Sequence, residues 1–347
     1  MAGAYLFCYT QLMDFELARQ RSYFIDCIRR FFIEHGYLEV DTPLLSPALI
    51  PEAPIEIFET TLRSVRGSRP LYLIPSPEVH MKKLLVAGSG NIFQICRSFR
   101  NLEQTGRHHN PEFTMLEWYT LEAGYGQSAA LTEELFAGLA ETAGRPELAP
   151  PFRRMSIREA FMEYAGIDLL ETRSLPQLRS ECRRLGMMTL NDESGHPPGS
   201  SGAPYAPPSW EELYHRIFLT FVEPRLPTDK PLLLTDYPRQ IPCLAKDIPG
   251  TPWKERWELY VDGIEVANCY SEETDPAKVE QFFSDEYAKK SLASMTVPDI
   301  DREFLEIFHR GYPESSGVAL GIDRLIMSLT RRDSIEGVIF FPISDKL

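Results

Sequence analysis

A chain of 347 residues, 43% hydrophobic and 11% aromatic, carries enough apolar material for a packed core, which excludes a disordered or fibrous polypeptide. Its formal net charge of −14 excludes the broad basic surface that sequence-independent nucleic-acid binding needs. It does not exclude a bound nucleotide, which needs only a few well-placed arginines. No run approaches the roughly 18 apolar residues of a membrane span. The first residues lack the basic segment of a signal peptide, so a cytoplasmic protein is expected. The six cysteines, Cys8, Cys27, Cys96, Cys182, Cys243 and Cys269, form no Cys-x-x-Cys pair. Reduced thiols are expected, with neither a zinc site nor a disulfide framework.

Residues 20–35 predict an amphipathic helix: Phe24, Ile28 and Phe31/Phe32 recur at helical spacing, and Gly36 stands where it would stop. A strand-like stretch at 38–40 runs into Thr42-Pro43. Residues 71–74, 92–96 and 112–119 read as strands, the last with Phe113, Met115 and Glu117 on one face. Helices follow at 129–143 and 156–165; the second opens on Ser156 with Glu159 three residues later and Gly166 at its end. Residues 196–209, rich in Pro, Gly and Ser, read as a surface loop or hinge within a single domain spanning 1–347. Residues 231–236 and 255–268 are strand candidates, the latter folded back at Asp262-Gly263, a hairpin-turn dipeptide. Residues 276–294 and 299–310 read as helices, and 317–330 as a glycine-punctuated strand entering a helix.

Chemistry concentrates in four segments: 76–82, 99–119, 256–275 and 316–327. Arg100 follows Phe99 in a polar loop between strands, and Arg324 opens a helix behind Gly317, Ala319 and Gly321. A guanidinium fork suits phosphate oxygens. Taken singly, each arginine reads as well as a structural ion pair. Glu258 and Glu265 flank the hairpin turn and would sit on facing strands. Two such carboxylates suit Mg²⁺ beside phosphates, and alone they read as well as exposed strand glutamates. His108 and His109 point apart and have no third ligand nearby, which argues against a transition metal and for phosphate or ribose contact by one of them.

Together and in this order, the segments resemble the three signature motifs of class II aminoacyl-tRNA synthetases of the lysyl branch. The helix at 20–35 with Pro43 matches the first motif, Phe99-Arg100 through Glu117 the second, and Gly317 through Arg324 the third. The resemblance is closer still to the elongation factor P lysine ligase family, paralogues without the anticodon-binding domain. The first motif begins near residue 20, the run 106–119 resembles that family throughout, and Ala319 stands where lysyl-tRNA synthetases carry glycine.

The resemblance implies an α+β fold, an antiparallel sheet flanked by helices. It implies ATP and Mg²⁺ as cofactors, lysine or (R)-β-lysine as substrate and elongation factor P as acceptor, with tRNA disfavoured by the acidic balance. A homodimer built on the first motif is implied as well. Arg100 would clamp the α-phosphate and Arg324 the γ-phosphate. Asn101, Glu103, His109, Asn110, Glu258, Leu259 and Gly321 would line the nucleotide site, with Glu258 and Glu265 on the metal. Ser76, Pro77, Glu78, Glu117, Tyr119, Glu265, Asn268, Glu272 and Ala319 would contact the amino acid. The Ala319 methyl implies a preference for (R)-β-lysine, since one such group changes discrimination by only ~1–3 kcal/mol.

Two departures stand out. Leu102 separates Arg100-Asn101 from Glu103, so the second motif's loop is one residue longer. Cys269 replaces a glycine, which predicts a narrowed or altered substrate pocket. Two other readings remain: a truncated lysyl-tRNA synthetase, and a catalytically inactive synthetase-like sensor. The second is disfavoured by the presence of both arginines and both glutamates.

Overall fold

A computed structural model describes residues 15–102, 106–188 and 207–343. In chain order, helix α1 (Phe15–Glu34) leads into short strands β1 (Leu38–Glu39) and β2 (Leu45–Ser46). The ribbon β3 (Glu59–Ser64) and β4 (Gly67–Leu73) follows, then α2 (Glu78–Val86), β5 (Ile92–Phe99), β6 (Glu112–Leu121) and α3 (Tyr125–Ala143). Next come β7 (Arg153–Ser156), α4 (Ile157–Ala165), α5 (Leu175–Arg184) and α6 (Trp210–Ile217). The chain ends with β8 (Leu232–Pro238), β9 (Trp253–Val261), β10 (Ile264–Ser271), α7 (Pro276–Ala293), α8 (Arg302–His309), β11 (Ser315–Gly321) and α9 (Ile322–Leu329). No helix among the described residues is long and apolar enough to cross a membrane.

Eight strands form one sheet in the order β1-β5-β6-β11-β10-β9-β8-β7, and a small sheet β2-β4-β3 stands beside it. The six central strands pair antiparallel; only the edge pairs β1–β5 and β7–β8 are parallel. The expected antiparallel sheet with flanking helices is therefore what forms. Local signals acted as their chemistry predicts. Gly36 ends α1 at φ +79°, and Asp262 and Gly263 both take positive φ, the signature of a tight primed hairpin turn. Ser156 and Glu159 cap α4 reciprocally, at 3.2 Å and 2.7 Å.

Strand alternation sorts the sheet into two faces. Below it, Leu116, Trp118, Leu259, Val318 and Leu320 join Ile28 and Phe32 of α1, Phe136 of α3 and Ile326 of α9 in the main core. Phe32 stacks on Phe93 and meets Trp118, each at 5.0 Å between ring centroids. Above it, two separate apolar clusters cover the ends. One joins α4 and α6 to Leu232, Leu234 and Tyr260. The other joins α2, α7 and α8 to Ile92 and Tyr119. The middle of the upper face is left to polar side chains, and that is where the site lies.

A single polar cluster ties the three sequence motifs together. Arg21 of α1 pairs with Asp323 of α9 at 2.6 Å and donates to the Thr114 hydroxyl of β6 at 2.8 Å. The Thr114 amide in turn donates to Asp323 at 2.7 Å. Asp323 is buried, so this pairing is internal to the fold rather than a surface contact.

Candidate active site

Register across the sheet builds two rows of upward side chains. In the first, Glu117 lies opposite Ala319, Ala319 opposite Asn268, and Asn268 opposite Glu258. In the second, Tyr119, Gly317, Tyr270 and Arg256 follow in the same order. A β-bulge between Glu265 and Ala267 lets Glu265 and Asn268 share the upper face although they are three apart. Val266 and Ala267 both drop into the core below.

At one end the rows border a cavity of about 70 Å³, on whose walls stand Glu52, Glu78, Glu117, Glu272, Tyr119 and Arg100. Lys82, 1% exposed, donates to Glu78 at 2.6 Å and to Glu272 at 2.7 Å. Burial pulls its pKa down, but Glu272 and Glu78 outweigh that and hold it well above the usual lysine value. One oxygen of Glu117 accepts the Tyr119 hydroxyl at 2.7 Å, and the other is buried without a partner. Burial, reinforced by Glu78, pushes the Glu117 carboxyl up to about 8. Burial likewise pushes Glu272 up to about 7, against the pull of Lys82. Gly317 is required here: a Cβ on it would stand 2.5 Å from Tyr119 Cε1 and closer still to Glu272 Oε1.

At the other end, Arg100 and Arg324 have no carboxylate partner among the described residues, while Glu258 is paired with Arg256. The Arg100 guanidinium lies 5.3 Å from the centroid of the Phe113 ring, and its buried Nε has no hydrogen-bond partner. Among the described residues, Arg324 donates only to backbone carbonyls, of Glu265 at 2.9 Å and His108 at 3.2 Å. Glu258 accepts from Arg256 at 2.6 Å and from the Tyr260 hydroxyl at 3.1 Å. Glu265 is pushed up to about 7 by burial and then by Glu258. Two repelling carboxylates of this kind fit a divalent cation, which favours one or two carboxylates plus phosphate oxygens and water. No group of three or more metal-ligating side chains occurs among the described residues, so the remaining ligands would come from substrate and solvent.

Of the residues expected from sequence, Ser76, Glu78, Glu117, Tyr119, Asn268, Glu272 and Ala319 line the cavity, with Arg100 among them. Glu258 and Glu265 lie on the same face, as expected of facing strands. Several others are placed differently. The Leu259 side chain is fully buried in the core below the sheet, because it alternates with Glu258; only its backbone can meet a nucleotide. Cys269 alternates with Asn268 in the same way, contacts Ser316 Oγ at 3.2 Å, and cannot narrow the pocket. Asn110 is committed to structure, donating to the Glu112 carbonyl at 2.6 Å and accepting the Ile343 amide at 2.9 Å. Pro77 caps α2, and its carbonyl accepts the amides of His80 and Met81. Asn101 accepts its neighbour's amide at 3.0 Å and bridges to Glu56, beside Arg100. His109 closes a bridge with Gly106 in the same loop. Gly321 precedes α9, where an added Cβ would meet nothing closer than 3.8 Å. Leu102 takes φ +52°, in the left-handed region; Glu103 lies outside the described residues.

Sequence reading missed Glu52, Lys82, Arg256 and Tyr270 as site residues. Lys82 was findable four residues after Glu78 on a helix. Tyr270 was findable two residues after Asn268 on a strand. No local signal marks Glu52.

A central antiparallel sheet carrying paired arginine and carboxylate positions on one face, with a strand entering a helix at Gly321–Ile322, defines a synthetase catalytic domain. The family model described as tRNA synthetases class II (D, K and N) matches residues 5–345, and the chain belongs to that family. Among curated relatives, it is 37% identical to the elongation factor P–(R)-β-lysine ligase of Erwinia tasmaniensis over 320 residues, 91% of each chain. It is 35% identical to the protein of the same name from Vibrio atlanticus, over 93% of this chain and 94% of that one. The Salmonella typhi protein of that name is also 35% identical, over 91% of each.

Proposed function

We propose that this protein activates a lysine-type amino acid, (R)-β-lysine or lysine, as its adenylate with ATP and transfers it to a lysine side chain of elongation factor P. The observation that carries the reading is the cavity on the sheet face, where a buried carboxylate oxygen of Glu117 has no partner and Arg100 stands on the same wall. A desolvated ammonium needs such a carboxylate. The names of the relatives supply the acceptor.

The reaction follows from the placement. A substrate carboxylate oxygen attacks the α-phosphorus of ATP, the bond to the bridging oxygen breaks, and pyrophosphate leaves. No side chain acts as nucleophile. Arg100 and Arg324 orient the phosphates and offset the charge that builds on them. Glu258 and Glu265 would hold Mg²⁺, which would supply further charge neutralisation on phosphate oxygens when bound. Gly317 keeps the sheet surface clear beside Tyr119. In the second step the acceptor amine nitrogen attacks the acyl carbon, AMP leaves, and the amine gives up a proton. The protein acts as a homodimer in this reading, a second copy covering Phe15, Tyr23 and Ile33, which leave 53–60% of their surface exposed on α1.

Amino-acid-dependent exchange of pyrophosphate into ATP, followed by an offer of elongation factor P or tRNA, tests the proposal. A stable mass increase on the factor is expected. Charged tRNA with an unmodified factor would make the protein a synthetase, and no exchange with any amino acid would leave only a binding module.

A further inference from the structure

The cavity holds more carboxylates than one ammonium requires, and they are not equivalent. Glu78 and Glu272 are bridged by Lys82, so the protein already supplies their cation. Glu117 and Glu52 have no such partner: no ion pair reaches either side chain among the described residues. They stand at different places along the wall. Glu78 is the largest charged neighbour of both, but the next is Lys82 for Glu117, on β6 beside Tyr119, and Arg100 for Glu52. Glu52 belongs to the segment that meets Arg100. Four residues on, the Glu56 carbonyl accepts the Asn101 amide at 2.9 Å.

That segment is held in place by α7. Lys290, 1% exposed, spends its ammonium on the backbone carbonyls of Glu52, at 3.0 Å, and of Ile55. Glu286 accepts the Ala53 amide at 3.0 Å. The Glu56 carboxylate accepts the amides of Met295 and Thr296 at 3.1 and 2.7 Å. Two helix side chains and a carboxylate thus fix the backbone from Glu52 to Glu56 while leaving the Glu52 side chain uncommitted on the cavity wall. Fixing a side chain's backbone without occupying its polar head is how a binding group is pre-organised.

We propose that Glu52 is a specificity-determining residue for the amino acid: it pairs with the ammonium beside the reacting carboxylate, at the Arg100 end, while Glu117 takes the ammonium at the far end of the side chain. The inference rests on the adenylation reading above. It assigns the pocket to substrates with two ammonium groups and places the reader of the second one on a loop outside the sheet. An acid carrying only the distal amine fills the Glu117 position and leaves Glu52 without a partner.

The test is a cycle between side chain and substrate. Pyrophosphate exchange is measured for the wild type, Glu52→Gln and Glu117→Gln with (R)-β-lysine, lysine and 6-aminohexanoate, which lacks the second amine. If 6-aminohexanoate is not adenylated, its inhibition constant against lysine-dependent exchange is measured instead. Loss of a charge-assisted hydrogen bond predicts that Glu52→Gln lowers kcat/KM for the better diamino acid about ten- to hundredfold, chiefly through KM. The same change should alter 6-aminohexanoate by less than about twofold, whereas Glu117→Gln weakens both. Equal losses for both acids with Glu52→Gln, or none for either, overturn the assignment. Glu52→Asp, which keeps the charge and draws it back, should show a smaller loss confined to the diamino acids. It stands in if the Gln variant does not fold. A wild type that exchanges with no amino acid defeats the adenylation reading itself, whereas exchange with uniform losses defeats only the role of Glu52.

Discussion

The two ends of the polar sheet face handle charge in opposite ways. At the amino-acid end, Lys82 balances Glu78 and Glu272 from inside the protein, at 2.6 and 2.7 Å. At the nucleotide end, Glu258 and Glu265 repel each other, and neither Arg100 nor Arg324 pairs with a carboxylate among the described residues. The first arrangement is complete before any ligand arrives and contributes to folding. The second is left with like charges close together, a cost that a triphosphate and its cation would offset on binding. Selectivity is thus assigned to a pocket where Lys82 neutralises two of four carboxylates, and catalysis to a face whose two arginines and Glu265 wait for the reactant.

The contrast breaks most visibly at Lys82. Lys82→Met strands the buried Glu272 and the half-buried Glu78, and removing one partner of a buried pair costs about 3–5 kcal/mol. Urea unfolding should show that loss, and adding Glu272→Gln should recover part of it. An unchanged midpoint would mean the pair is not internal to stability. Next in size, Arg100→Ala should keep nearly the wild-type unfolding midpoint while lowering lysine-dependent exchange by about 10²–10³-fold, the usual scale for removing a charge-stabilising donor. Near-normal exchange would remove Arg100 from the chemistry.

A pH series sharpens the same comparison. Glu265, Glu52 and Glu272 are raised from 4.5 to about 7 and Glu117 to about 8, each chiefly by burial. A carboxyl raised in the folded state holds its proton longer than in the unfolded chain. Its contribution is fully present below 4.5 and is lost as pH rises through 7 to 8. The unliganded thermal midpoint should therefore slope downward from pH 5 to pH 8. The rise produced by Mg·ATP should be larger at pH 8 than at pH 6, since the ligand relieves the ionised pair. A ligand-induced shift that shrinks with pH would contradict this. The smallest effect is expected at Cys269. Cys269→Ala should cost about 1 kcal/mol of stability as a core truncation and leave the preference between lysine and (R)-β-lysine within about twofold.

Much of the scaffold was legible from local pattern. The 3.6-residue spacing of Phe24, Ile28 and Phe32 located α1, Asp262-Gly263 located the hairpin, and Ser156-x-x-Glu159 located the start of α4. The misplacement of Leu259 and Cys269 had a remedy in the sequence itself. Each adjoins a residue assigned to the site face, and a strand cannot turn neighbouring side chains the same way. The bulge that puts both Glu265 and Asn268 on that face had no such signal, since it depends on how β10 registers with β9. The helix α2 was read for its chemistry and not its shape, so the turn that brings Lys82 under Glu78 went unseen.

By itself the sequence determined which segments would be helix, strand and turn, and supplied the ordered arginine and carboxylate positions that mark the family. Those signals act over a few residues and survive any arrangement of the rest. Only the tertiary structure decided which charges meet. Lys82 and Glu272 lie 190 positions apart and become partners only because the fold sets helix α2 against the end of β10. Glu52 faces the cavity because a buried lysine on α7 grips its backbone from 238 positions away. Coulomb and hydrogen-bond partners are set by distance in space, and sequence spacing constrains that distance only within a single element.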